Sequence, residues 1–458
     1  MDLRLSTALF TGKLIAFILK VSDSGATAAP GLFALKIDSN LVKKLNDKNR
    51  LKSIIISGTN GKTTTARLTS DILKTKYKII HNRQGSNLLR GVASTLIAKS
   101  NIFGQIGADI AIWEADEASL PEILENSNPK IVVLLNLFRD QLDRYGEINT
   151  IRTKWEKALE KLPKSTTFIL NTDDPGICFL SKFTKGKVLF FGVEDKKIDL
   201  PQVENVADIK NCPNCAEKLT YSSLFSAHLG HFLCPNCQFS RPLPDVHAQK
   251  LKFKPDFSTN LELIVNNSKL KVNYNLPGLY NVYNTLAATS VAKAENISTE
   301  DIGNKLKKFS AVFGRFQTVE IKSRKITTFL IKNPAGANEI IRTISQKKNI
   351  NLVAILNDKI ADGRDVSWIW DTNWEKLVPN IKSIFASGIR AFDFANRFKY
   401  AEINIPETNI KTNIKKSIKF AIQNTAPQEE LLILPTYTAL LEVQKILSGK
   451  EQVKWHKQ

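Results

Sequence analysis

Residues Ser57-Gly58-Thr59-Asn60-Gly61-Lys62-Thr63-Thr64-Thr65 follow an apolar run, Leu51–Ile56, and precede a helical pattern from Ala66 to Tyr77. A strand, a glycine turn and a helix start in that order make a cradle for phosphate. Gly58 and Gly61 let the backbone approach phosphate oxygens, because no Cβ stands in the way. The helix N-terminus directs N–H groups and a partial positive charge at an anion. Lys62 is placed for β- and γ-phosphates, and the Thr63 hydroxyl for Mg²⁺. The phosphate-binding set is therefore Gly58, Thr59, Asn60, Gly61, Lys62, Thr63 and Thr64. The longer form of this loop carries a glycine five residues before the glycine of the Gly-Lys pair; here that position is Ile56, inside the strand.

Acidic residues lie downstream of the loop. Gly107–Trp113 reads as a strand that ends at Glu114, in Trp113-Glu-Ala-Asp-Glu-Ala-Ser-Leu120. A carboxylate at the C-terminal end of a strand beside a phosphate loop is where an open α/β sheet presents a Mg²⁺ ligand. Glu114 is the first choice, with Asp116 and Glu117 behind it. Lys130–Leu137 and Thr166–Leu170 read as further strands, the first leading into Asn136-Leu-Phe-Arg-Asp-Gln-Leu-Asp-Arg-Tyr-Gly146.

Cys212-Pro-Asn-Cys215 and Cys234-Pro-Asn-Cys237 stand 18 residues apart. Two such knuckles match the spacing of a Cys₄ zinc ribbon. No export signal is evident, so the thiols are expected to stay reduced. With no ligand position left open, the Zn²⁺ is expected to be structural. Turn-rich flanks, Pro201–Lys210 and Arg241–Asp245, mark an inserted module at about residues 205–245. His228 and His231 lie between the knuckles, but four cysteines already suffice.

The 458 residues are enough for two or three domains, and the 43% hydrophobic content is that of an ordinary globular protein. A net charge of +21 suits an anionic partner such as nucleic acid, anionic lipid or a pyrophosphate-bearing substrate. It is equally compatible with a general bias toward lysine, because the basic residues are scattered. Leu14–Leu19 is too short to span a bilayer and is bounded by Lys13 and Lys20. Residues 7–21 are expected to form an amphipathic helix that either packs on its own domain or lies on a membrane surface.

The short loop GTNGKTT resembles that of the Mur ligase superfamily, whose members use ATP to make an acyl phosphate that an amine then attacks. Several other segments resemble the same superfamily. Asp140-Gln-Leu-Asp143 fits its DxLD pattern, and Asn171–Pro175 fits its N-x-D-D turn. Gly278-Leu-Tyr-Asn281-Val-Tyr-Asn284 resembles a segment that opens a helix near the adenine, which makes Asn284 a nucleotide contact. Phe313-Gly-Arg315-Phe316 resembles a Gly-Arg motif, which would set Arg315 on the phosphates.

Two departures narrow the branch. The place of the lysine that amino-acid-adding members carbamylate, counted from Asp140, falls on Trp155, with Lys154 one residue short. One residue on a helix turns a side chain by about 100°. Where those members carry a D-Y-A-H-x-P-like motif, this chain reads Lys332-Asn-Pro-Ala-Gly336. That segment, the inserted Cys₄ ribbon and Ala361-Asp-Gly-Arg-Asp-Val-Ser-Trp-Ile-Trp-Asp371 together resemble one family, the MurT subunits of lipid II isoglutaminyl synthase. Asp362 and Asp365 of that segment follow strand Leu352–Leu356.

The resemblance implies an α/β fold. A Mur ligase-type central ATP-binding domain, residues 49–316, carries the zinc-ribbon insertion. A helical segment, 1–48, precedes it, and a Rossmann-like α/β domain, 317–458, follows. It implies a cytoplasmic enzyme, peripheral at the inner membrane face, that amidates the D-glutamate α-carboxylate of lipid II using ATP and Mg²⁺. The ammonia would come from a GatD-like glutaminase subunit in a heterodimer, and no nucleic acid is involved. Lys62 and Glu114 would be catalytic, with Thr63 and Glu114 on Mg²⁺. Either Asp362 or Asp365 would support the partner's Cys–His pair. The residues agree on the need for a partner: glutamine hydrolysis requires a Cys nucleophile. Four of five cysteines are taken by zinc, and Cys178 lacks a glycine-rich nucleophile turn.

Overall fold

The computed structural model describes residues 2–22, 28–83, 86–139, 148–202, 207–309 and 316–448. The Asp140–Gly146 segment and Arg315 lie outside the described residues.

Two large sheets organise the chain. The first is built from β1 Lys52–Ser57, β2 Ile79–His81, β3 Ile110–Ala115, β4 Ile131–Leu134, β5 Thr167–Asn171 and β6 Val188–Val193. After an excursion through the hairpin β7 Thr220–Ser226 and β8 Leu229–Leu233, the chain returns as β9 Val246–Phe253, β10 Thr259–Val265 and β11 Ser268–Tyr274. The nine strands run in the order β11-β10-β9-β6-β5-β4-β1-β3-β2. Strands β1 to β6 and β9 pair in parallel, and β9-β10-β11 is an antiparallel meander. Helices cover both faces, which is why the central strands read as unbroken apolar runs. Ile54 and Ile56 of β1 enter the core under helices Lys62–Leu73 and Leu279–Ala294. Ile55 and Trp113 enter the opposite core, under the N-terminal helices and Leu89–Lys99.

Strand β3 starts and ends later than its hydrophobicity indicates. Its ladder with β1 runs through Ser57 opposite Ala115, so Glu114 lies within the strand. The helix after the loop begins at Lys62, four residues before its apolar pattern, because the loop's threonines form its first turn. Helix Leu3–Val21 also departs from expectation. It is not amphipathic: Leu5, Ala8, Leu9 and Gly12 are buried, and its outer side is apolar as well.

The second sheet comprises β12 Phe316–Ile321, β13 Arg324–Phe329, β14 Ile350–Ile355, β15 Ile381–Ser387, β16 Ile410–Lys411 and β17 Glu430–Pro435, in the order β12-β13-β17-β14-β15-β16. Only the β12–β13 pair is antiparallel. Trp374, Phe394 and Phe398 fill one side of it, Ile414, Ile418 and Val443 the other.

Candidate active site at the phosphate loop

The chain leaves β1 toward β3 on one side and reaches β4 on the other, so the sheet reverses its order at β1. Ligands of open α/β sheets bind beyond the strand C-termini at such a point. The loop Gly58–Gly61 occupies it. Gly61 has φ 92° and caps helix Lys62–Leu73. A Cβ there would stand 2.1 Å from Asn284 Oδ1, and one on Gly58 would meet Leu135 at 2.9 Å. With no capping side chain, the first-turn amides of that helix are suited to an anion.

Asn136, just past β4, clamps the loop. Its Oδ1 accepts the Asn60 amide at 2.8 Å and its Nδ2 donates to Asn60 O at 3.0 Å. The Thr59 amide donates to Asn136 O, and Thr59 Oγ1 exchanges hydrogen bonds with the Phe138 backbone. This clamp escaped sequence reasoning, although an asparagine directly after an apolar strand was its available signal.

Lys62 Nζ donates to Gly58 O at 2.5 Å and to Glu117 Oε2 at 2.7 Å. Burial pushes the Glu117 carboxyl upward, but the positive charges of Lys62 and Lys332 outweigh it and hold the group below the usual glutamate range. Trp155, fully buried, donates its indole N–H to Glu117 O at 2.8 Å. The residue at the carbamylated-lysine place is thus a rigid support for the acidic turn.

Thr63 Oγ1 donates to Glu114 Oε2 at 2.7 Å, and Glu114 Oε1 lies 3.1 Å from His81 Nε2. Asn82 holds the Glu114 backbone from both sides. A hydroxyl and a carboxylate brought together at the strand ends form an oxygen donor set that fits a hard cation such as Mg²⁺. Asp116 is half-buried beside them, with its amide on Asn87 O. Asn284 reaches the loop helix: its Oδ1 accepts from Thr65 Oγ1 at 3.3 Å, and its Nδ2 donates to Asn281. Thr64 lines the cleft on the same side.

The second sheet also contributes. Lys332 Nζ donates to Thr59 O at 3.1 Å, and Asn333 Nδ2 to Asn60 Oδ1 at 3.1 Å. Asn333 caps helix Pro334–Ile344 through the Gly336 amide. The Lys332–Gly336 segment therefore sits directly on the phosphate loop. A cleft enclosing about 1070 Å³, open space at its mouth included, runs outward from Gly61 between apolar walls of Leu229, Leu279 and Ile340. Across it Ser226 Oγ donates to Glu339 at 2.7 Å, joining the β7–β8 hairpin to helix Pro334–Ile344.

The four ribbon sulfurs all lie within 4.8 Å of one another. Cys212 and Cys237 are 3.6 Å apart, and Cys215 and Cys234 are 3.5 Å apart, with no disulfide between them. Those distances are near the edge of a tetrahedron with metal–sulfur bonds of about 2.3 Å, so the set could hold Zn²⁺. Cys178 is buried under the ribbon, and burial pushes its thiol far above the ordinary range. The ribbon is fixed to the central sheet by Arg241, which bonds Asp173 at 2.6 Å and Glu194 at 2.7 Å.

Asp362 and Asp365 lie beyond β14, away from the loop contacts just described. Both Asp362 carboxylate oxygens are engaged by Thr438, one by its amide at 2.7 Å and one by its hydroxyl at 2.5 Å. Asp362 thus ties its loop to the start of helix Tyr437–Ser448. Asp365 is exposed, with one oxygen accepting the Ser367 amide at 2.8 Å.

Comparison with known proteins matches residues 56–236 to the Mur ligase middle domain and residues 330–440 to the MurT ligase C-terminal domain. The subunit MurT of the glutamine-hydrolysing lipid II isoglutaminyl synthase of Streptococcus pneumoniae is 33% identical, with 99% of each chain covered. The corresponding Staphylococcus aureus subunit is 31% identical over 95% of each. Among solved structures, a pseudomurein peptide ligase type C from Methanothermus fervidus aligns with TM-score 0.67 at 21% identity, covering 89% of this chain and 80% of that one. The MurF ligase from Thermotoga maritima, in complex with ADP, aligns with TM-score 0.64 at 13% identity, covering 91% and 84%. These structures share the fold. Matched over nearly its whole length, the chain belongs to the family of MurT subunits of lipid II isoglutaminyl synthase.

Proposed function

We propose that this chain is the ATP-using subunit of a glutamine-hydrolysing amidotransferase, acting on the α-carboxylate of D-glutamate in the stem peptide of lipid II. The carboxylate oxygen attacks the γ-phosphorus of ATP, and ADP leaves. Ammonia then attacks the acyl carbon of the resulting acyl phosphate, inorganic phosphate leaves, and the product is the amide, D-isoglutamine. The ammonia comes from a glutaminase subunit of the GatD kind, with the pair working at the inner face of the cytoplasmic membrane.

The observation that carries this reading is the meeting of Lys62 and Lys332 at one loop, with a buried tryptophan in place of a carbamylated lysine. Two cations at the phosphates favour transfer to an anionic acceptor, where charge repulsion is the main obstacle. Thr63 and Glu114 would hold Mg²⁺, which neutralises charge on the phosphates when bound. Arg315 is assigned to the phosphates and Asn284 to fixing the loop helix beside the nucleotide. Ser226 and Glu339, which bond across the cleft, support a role for the ribbon hairpin in shaping the nucleotide site. The Cys₄ set is assigned to structural Zn²⁺. The working division is 49–316 for nucleotide binding and 317–458 for closure and partner docking.

Of the two candidate aspartates, Asp365 is assigned to the partner's Cys–His pair, because Asp362 already uses both oxygens on Thr438. The burial of Cys178 supports a nucleophile from another chain. The test is amidation of lipid II by the chain with ATP, Mg²⁺ and either ammonium or glutamine, with and without the glutaminase subunit, read by mass spectrometry. Ammonium is expected to support amidation by this chain alone, and glutamine only with the partner. Amidation by neither, with ATP binding intact, would transfer the activity to another carboxylate.

A further inference from the structure

Helix Leu3–Val21 is apolar on two opposite sides. The inner side is packed so closely that a Cβ on Gly12 would come within 2.7 Å of Ile97. On the outer side, Leu3, Phe10, Leu14, Phe17 and Val21 follow one another at helical spacing. Their exposures are 78%, 70%, 47%, 64% and 72%. The adjoining loop, held by Lys13 Nζ on Ser100 O and by Gly104 against Leu9, adds exposed Ile102 and Phe103. A stripe of exposed large apolar side chains along one helix marks an interaction site.

Charge selects the occupant. Helices Leu3–Val21 and Ala29–Ile37 contain no Asp or Glu and carry Arg4, Lys20 and Lys36 at their surface, while the Lys13 ammonium is engaged by the Ile97 and Ser100 carbonyls. A second copy would set like charges against each other across a self-complementary contact. A bilayer with anionic headgroups offers hydrocarbon to the stripe and negative charge to the lysines. We propose that the outer stripe of helix Leu3–Val21 docks this chain on an anionic bilayer surface. The inference rests on the reading above, in which the substrate is lipid-linked and must be met at a membrane. No helix among the described residues is long and apolar enough to cross one, so docking is at the surface.

The test is flotation of the chain, with its glutaminase subunit bound, on vesicles of phosphatidylglycerol or of phosphatidylcholine. The wild type is expected to float with the anionic vesicles and at least tenfold less with the neutral ones. The triple variant Phe10→Ser, Leu14→Ser, Phe17→Ser alters exposed side chains only and should keep its melting temperature while losing at least tenfold in anionic-vesicle binding. Lys20→Glu should lose less. Wild type that does not float, or a variant that floats equally, overturns the proposal. So does a variant that dissociates a dimer or releases the glutaminase subunit, which would give the stripe to that partner. Amidation of a lipid-free stem-peptide substrate is measured in parallel. Its loss in wild type that still floats would sink the functional reading and leave the docking surface standing.

Discussion

Two buried carboxylates face cations at almost the same distance, Glu117 with Lys62 at 2.7 Å and Asp173 with Arg241 at 2.6 Å, yet their surroundings differ. Asp173 is sealed. It also accepts the Val193 amide and the Tyr283 hydroxyl, and Arg241 reaches on to Glu194 and the Val193 carbonyl. That planar fork joins the ribbon's exit to the sheet. Lys62 is a flexible ammonium that also donates to two loop carbonyls, beside a cleft lined by Gly61 and Thr64. Phosphate is a stronger partner for an ammonium than a carbonyl oxygen is. A rigid fork locked between sealed acidic groups therefore marks a joint, and a flexible ammonium on a glycine loop beside a cleft marks a site.

If that contrast is right, Lys62→Ala should have the largest effect on activity. ATP-dependent amidation should fall at least about a thousandfold, with glutaminase binding unchanged in a pull-down. Retained activity would break the comparison from the functional side. Arg241→Ala should act on the other quantity. Leaving Asp173 buried and unpaired should cost about 3–5 kcal/mol in denaturant unfolding. The surviving folded fraction should keep most of its activity per molecule. A large activity loss at unchanged stability would mean that Arg241 is no mere joint.

Asp365→Asn should lower glutamine-driven amidation by up to about 10⁴-fold, the loss seen when the aspartate that orients a catalytic histidine is replaced. Ammonium-driven amidation should be spared, whereas Asp362→Asn should lower the melting temperature instead. The smallest effect concerns Glu117. Because Lys62 and Lys332 hold its carboxyl below the ordinary 4.5, its stabilisation is complete above that value and fades as pH falls through the lower folded one. The melting-temperature gap between wild type and Glu117→Gln should be present at neutral pH and close in acid. A gap independent of pH would remove Glu117 from the charge network.

What was legible in the sequence was local. The loop required two glycines and a Lys-Thr pair within a few residues, and the ribbon required four thiols at fixed spacing. Each requirement is met by neighbours along the chain. Other contacts set by sheet order, unlike the Thr63–Glu114 pair, were not legible. The Asn136 clamp exists because β4 lies beside β1, and Trp155 meets Glu117 only after a helix folds back. The choice between Asp362 and Asp365 turns on Thr438, distant in sequence and adjacent only through β14 and β17. The first helix misled for a related reason: periodicity reports which residues are apolar but not which side the protein covers.

The central claim is that this chain makes an acyl phosphate at the Lys62 loop. Lipid II carrying a heavy oxygen isotope in the D-glutamate α-carboxylate, amidated with ATP and ammonium, tests it directly. The account predicts one labelled oxygen in each phosphate released, and neither phosphate nor amide from Lys62→Ala. Amide formed with unlabelled phosphate would contradict it, since the carboxylate would then never have accepted the phosphoryl group.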